Sequence, residues 1–279
     1  MSKYLIINAD DFGYCAEQND AIKELLEKKL ITSTSVMSVC PCAAECGTLN
    51  GCGASVGVHL TLNSDSDTAR WQSLSGADCL GGTAGMPASQ KNLTFHARHR
   101  DVYKELCLQY EYLTARGVVP DHADNHCGSL YGVNLRRFYI DAFEFCAEYA
   151  LPFRFPKTPG FIERQIKMSV PKILIAIQRA IVKEGDKRGV RLLDDLVSNP
   201  QNIDEIGCYD NLRKYYLDAV GNLNDGITEM FLHPALPISD EITGWTKRVY
   251  EYELLKSGDI LEYAKKCGVE VVSWSVFDR

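Results

Sequence analysis

The run YLIINADDFG, residues 4–13, sets two carboxylates side by side where an apolar stretch ends. Adjacent anions raise each other's pKa, and a cation between them removes the conflict. One Asp can then hold a metal while the other stays free as a base. The competing reading of Asp10 and Asp11 is that one of them caps the helix that follows. His59 interrupts a second apolar run, SVGVHLTL, either as a core histidine or as a ligand. In DHADNHCGSLYG, His122, Asp124 and His126 lie two residues apart. On a strand that spacing sends them to one face, where one can ligate while another orients it. Arg154 stands in FRFPKTP, and His233 ends the run TEMFLHP. Pro234 restricts the backbone of His233 to extended conformations. Together these residues suggest an Asp, His, His ion site with positions left open for water, the format of metal-assisted hydrolysis. His96 and His99, beside the start of a charged helix, read as surface residues.

These residues come from different elements. Strands are expected at 4–9, 33–39, 55–62, 122–124, 153–155, 227–232 and 269–274. Helices are expected at 16–29, 101–116, 135–149 and 246–266. The first helix carries Ile22, Leu25, Leu26 and Leu30 on one face, and the second carries Val102, Leu106, Tyr110 and Leu113. Strand–helix alternation argues for a parallel sheet wrapped by helices, and the length of 279 residues favours an α/β barrel over an open sheet. In such barrels the chemistry sits at the C-terminal ends of the strands, which is where the residues named above fall. The region 161–207 reads as a charged helical insertion in a single domain spanning 1–279, with Pro171 breaking or starting a helix. Residues 63–92 form a loop rich in Ser, Gly, Asp and Thr, long enough to act as a lid. Trp71 within it, and Tyr131, are candidates either for stacking on a ring or for packing.

Composition narrows the setting. The net charge is −7, and no basic block is interleaved with aromatics, which argues against nucleic acid as a partner. The N-terminal apolar run is too short for a signal peptide, and no stretch approaches membrane-spanning length, so a cytoplasmic protein without a membrane partner is expected. Eleven cysteines include no CxxC, and Cys40, Cys42, Cys46 and Cys52 match no common zinc or iron–sulfur spacing. They read as reduced core and loop residues.

The motifs LIINADDFG, ITSTSVM, GVHLTL, PDHADNH, FRFPKTP and TEMFLHPAL occur in that order between residues 5 and 236. The ordered set resembles the YdjC-like carbohydrate deacetylases, which include chitooligosaccharide and hopanoid-associated deacetylases. The resemblance implies an irregular (β/α) barrel of the polysaccharide-deacetylase type. It implies one divalent metal ion on Asp11, His59 and His126, with Asp10 as catalytic base, Arg154 as its orienting partner and His233 as the acid. Magnesium is the ion commonly assigned in the family, whereas two imidazoles and a carboxylate suit zinc. The implied reaction removes the acetyl group from an N-acetylated mono- or oligosaccharide, and homodimerisation is left open. The sequence departs from the family at Cys127, Gly128 and Ser129, where many members carry further histidines. Two other readings remain: a metal-dependent phosphoesterase acting on a sugar phosphate, which would need more cations at the site, and a sugar-binding protein without catalysis.

Overall fold

The computed structural model describes residues 2–239 and 244–278. The strands, in chain order, are β1 (Lys3–Phe12), β2 (Ser33–Val36), β3 (Ser55–Leu60), β4 (His122–Asn125), β5 (Phe153–Pro156), β6 (Leu192–Leu193), β7 (Asp195–Val197), β8 (Gly226–Leu232) and β9 (Glu270–Val271). All pair in parallel, in the order β6-β5-β4-β3-β2-β1-β8-β7. The two ends of that order are halves of one run that meet at Asp194. Its N–H donates to Ile227 O of β8, and its carbonyl accepts from Thr158 N, two residues past β5. The run 192–197 therefore bridges β5 and β8 and closes the sheet into an irregular barrel. Strand β9 pairs only with Tyr4 and Leu5, below the stretch of β1 that pairs with β2.

Alternation along the strands separates two environments. Leu5, Ile7 and Ala9 of β1, Val56, Val58 and Leu60 of β3, Phe153 and Phe155 of β5, and Met230 and Leu232 of β8 join the large core between sheet and helices. The residues between them face inward. At the N-terminal end of the barrel these are apolar: Ile6 and Ile227 pack with Leu193, Leu196 and Trp274. Toward the C-terminal end they are Asn8, Asp10, Ser35, His59, Asp124, Arg154 and Glu229. Helices such as Ala16–Glu27, His99–Thr114, Tyr139–Glu148 and Tyr209–Gly221 cover the outside, burying Ile22, Leu25, Leu106 and Leu113 of the expected stripes.

Several boundaries differ from the expectation. Region 161–207 is not a helical insertion throughout. Gly160–Ile166, Lys172–Lys187 and Ile203–Ile206 are helical, and Pro171 starts the second of these, but β6 and β7 lie between them and complete the barrel. The expected last strand shrinks to β9, and Trp274–Asp278 forms a 3₁₀ turn under the barrel. The long C-terminal helix is two, Trp245–Ser257 and Asp259–Lys266, parted by Gly258 at φ 78°. No helix among the described residues is long and apolar enough to cross a membrane. All eleven cysteines are free thiols.

Candidate metal and catalytic centre

Two neighbours on a strand normally face opposite sides of the sheet, so Asp10 and Asp11 need a local device to share the barrel mouth. The register of β1 against β2 supplies it. Ala9 and Phe12 oppose Thr34 and Val36, so β1 carries one extra residue, and Asp11 takes φ 68°. The bulge resets the alternation and turns both carboxylates into the mouth. Asp is among the non-glycine residues that tolerate this left-handed conformation.

Asp11, His59 and His126 offer ligand atoms that lie within 4.8 Å of one another. Asp11 Oδ1 is 3.3 Å from His59 Nε2 and 3.6 Å from His126 Nδ1. Asp11 Oδ1 is buried and has no hydrogen-bond partner. Donors about 2.1 Å from a shared ion, at right to tetrahedral angles, stand about 3.0–3.4 Å apart. The 3.3 Å separation falls in that range and the 3.6 Å one lies 0.2 Å beyond it, so with the unpartnered oxygen the three residues fit an ion once His126 closes by a few tenths of an ångström. Each imidazole is oriented from behind. His59 Nδ1–H donates to Asp124 Oδ1 at 2.7 Å, and Ser35 Oγ donates to Asp124 Oδ2 at 2.6 Å. His126 Nε2–H donates to Asp65 Oδ1 at 2.7 Å. These bonds fix tautomers whose free nitrogens face Asp11. Burial pushes both imidazoles down, but Asp124 at His59, and Asp11 and Asp65 at His126, outweigh it and raise them. Burial pushes Asp11 up, but His126, His233 and Arg248 hold it well below the usual carboxylate range.

Asp10 sits on a different partner. Arg154 grips it bidentately, Nη1 to Oδ2 at 2.6 Å and Nη2 to Oδ1 at 2.7 Å. Arg154 is itself 2 % exposed, so this is not a surface ion pair. Its Nε and Nη2 also reach Glu229 at 2.8 and 2.7 Å, and Nη2 lies 2.8 Å from Asp124 Oδ2. Burial raises Glu229 to about 7 despite the guanidinium. His233 follows β8 and brings Nε2 to 3.9 Å from Asp10 Oδ2. Behind it, Glu251 accepts the His233 backbone N–H at 2.7 Å and lies 3.8 Å from Nδ1. Burial pushes Glu251 up, but His233 and Lys247 hold it below its usual range.

All six residues singled out as metal- or catalysis-bearing thus converge on one mouth. His122 does not join them. It stacks on Trp274 at 4.4 Å, at the N-terminal end of the barrel, where a Cβ on Gly57 would sit 2.3 Å from its Nε2. It therefore lies apart from this mouth. His96 and His99 are exposed, as expected. Tyr131 donates to Arg154 O at 2.6 Å and packs on Phe153 and Phe155, so it is a packing residue. Trp71, on the long loop, is edge-on to His126 and Tyr14. Cys127, at the departure from the family motif, is exposed at φ 53°.

Sequence reasoning missed Asp65, Glu229, Arg248 and Glu251. The last two stand three residues apart on Trp245–Ser257, hence on one helix face. A charged pair facing the core side of that helix was the signal available.

The family model for YdjC-like proteins matches residues 4–266. The chain belongs to that family. It is 26% identical to a carbohydrate deacetylase of Thermoanaerobacter pseudethanolicus, over 98% of this chain and 99% of that protein. A carbohydrate deacetylase of Geobacillus stearothermophilus is 32% identical over 45% of this chain, a match that spans only half of that protein's length. A crystal structure from Enterococcus faecalis V583, of a protein assigned to cellobiose-phosphate cleavage, superposes with a TM-score of 0.76. It covers 99% of both chains at 23% identity, a likeness of fold.

Proposed function

We propose that this chain is, over its whole length, a metal-dependent deacetylase that hydrolyses the acetamide of an N-acetylated mono- or oligosaccharide. The observation that carries the reading is the division of the two adjacent carboxylates. Asp11 turns an unpartnered oxygen toward two imidazole nitrogens, while Asp10 is held by a guanidinium beside His233. Relatives named carbohydrate deacetylases, one of them matched along its full length, support it.

Asp11, His59 and His126 would hold one divalent ion, zinc suiting two imidazoles better than magnesium. When bound, it would polarise the acetyl carbonyl and lower the pKa of water. Asp10 takes the proton from the attacking water. Its Oδ1 accepts from both Arg154 Nη2 and Asn8 Nδ2, so Oδ2, which accepts from Arg154 Nη1, keeps the lone pair for that proton, and the guanidinium holds the carboxylate in its aim. Collapse of the tetrahedral intermediate breaks the C–N bond and needs a proton on the departing amine. His233 delivers it, oriented by Glu251. Base and acid, 3.9 Å apart, can serve the same carbonyl centre in turn. The protein works in the cytosol on an N-acetylated sugar, without a nucleic-acid or membrane partner.

A phosphoesterase would need free cations for the phosphate. Arg154 and Arg248 are both engaged by carboxylates, which favours the amide. The test is acetate release from a panel of N-acetylated sugars beside a generic phosphatase substrate. Acetate release abolished by chelation and by Asp10→Asn supports the reading. Phosphate release with no acetate overturns it.

A further inference from the structure

The two oxygens of Asp11 have different fates. Oδ1 faces the imidazoles without a hydrogen bond, while Oδ2 lies 3.0 Å from Arg248 Nη1. Arg248 is well anchored: its guanidinium lies over the Tyr14 ring at 5.3 Å, and its backbone carbonyl accepts the N–H of Ala235, two residues past His233. The bulge and left-handed backbone at Asp11 leave the carboxylate little freedom to turn away.

We propose that Arg248 is a positioning residue that holds Asp11 Oδ2, so that Asp11 offers the ion a single oxygen, and that it does so at the cost of ion affinity. The inference rests on the ion site of the preceding section. Carboxylates bind divalent ions through one oxygen or two. A guanidinium on the outer oxygen excludes the second mode and leaves coordination positions free for water and the acetyl oxygen. The same guanidinium competes with the ion for one negative charge and repels it across a buried carboxylate. Arg248 therefore weakens the ion's hold while keeping the geometry open.

This gives a sign that a merely structural residue would not. In Arg248→Met the carboxylate is freed, and Co(II) or Zn(II), titrated calorimetrically into the metal-free protein, should bind about tenfold tighter, the scale on which residues behind metal ligands tune affinity. The turnover number should fall with little change in KM. Arg248→Gln, which keeps a donor and loses the charge, should also bind the ion more tightly and covers the case in which the Met variant fails to fold. Arg248→Lys should stay near wild type in affinity. Asp11→Asn separates the two layers of argument. If it binds the ion as wild type does, the ion site is wrong and this inference falls with it. If it loses the ion while Arg248→Met and Arg248→Gln bind equally or more weakly than wild type, the inference about Arg248 alone is overturned.

Discussion

Arg154→Lys keeps a positive charge in the barrel and removes the fork. Arg154 makes four hydrogen bonds, two to Asp10 and two to Glu229, and a further 2.8 Å contact to Asp124. An ammonium has three donors, so at least two of these five contacts go. Hydrogen bonds to charged groups contribute about 1.5–3 kcal/mol each, which puts the loss at about 3–6 kcal/mol, a large part of a stability of about 5–15 kcal/mol. Glu229 offsets some of this by taking a proton, so the variant should be damaged more at pH 8 than at pH 6. Because the whole network is buried, the substitution tests stability as well as turnover. Urea unfolding of the metal-free proteins at both pH values gives the stability term. Initial rates well below the unfolding range should show turnover down about 100-fold, because Asp10 is no longer aimed. A lysine variant within 1 kcal/mol of wild type, with wild-type turnover, would refute the reasoning.

Three further outcomes are expected. Glu229, raised by burial from an ordinary 4.5 to about 7, keeps its proton in the folded chain where the unfolded chain has lost it. Stability should therefore fall as pH rises through that window, by on the order of 3 kcal/mol, and Glu229→Gln should flatten the slope in denaturation series; an unchanged slope removes Glu229 as its source. Asp124→Asn should loosen the tautomer of His59 and weaken ion binding about 10- to 100-fold, and calorimetry showing wild-type affinity would contradict that role. His233→Ala should keep the ion and lose turnover by about 10²–10⁴-fold; loss of the ion together with activity would make His233 a ligand.

The legible part of the site was the part written as polar residues inside apolar strands. Asp10, Asp11, His59 and Arg154 each interrupt such a run, and the parallel barrel puts strand ends together whatever the loops do. The bulge at Asp11 was not legible, since nothing in ADDF marks which Asp takes the extra position. Strands β6 and β7 were not either. Two- and three-residue strands around an aspartate carry no periodicity, and flanking helices made the whole region read as helical. Arg248 and Glu251 lie more than ten residues past His233, on a helix whose amphipathic pattern is weak. Their partners are set by how that helix lies across the barrel mouth, a tertiary fact that spacing does not encode.

Charge explains why so many acids tolerate one mouth. Asp10, Asp11, Asp124, Glu229 and Glu251 are all buried. The guanidiniums of Arg154 and Arg248 face them, and five against two leaves three negative charges over. Buried charge of that size is costly unless it is paired. Without an ion, the raised His59 and His126 answer two of the three by holding protons, and Glu229 answers the third in the same way up to about neutral pH. A divalent ion on Asp11, His59 and His126 would exchange two imidazolium protons for two charges and leave the total where it was. Asp10 stands outside that exchange because Arg154, which does not titrate, is its counter-charge. The proposed base thus keeps the same bidentate partner whether or not the ion is present, so its aim does not depend on how the neighbouring ion site is filled.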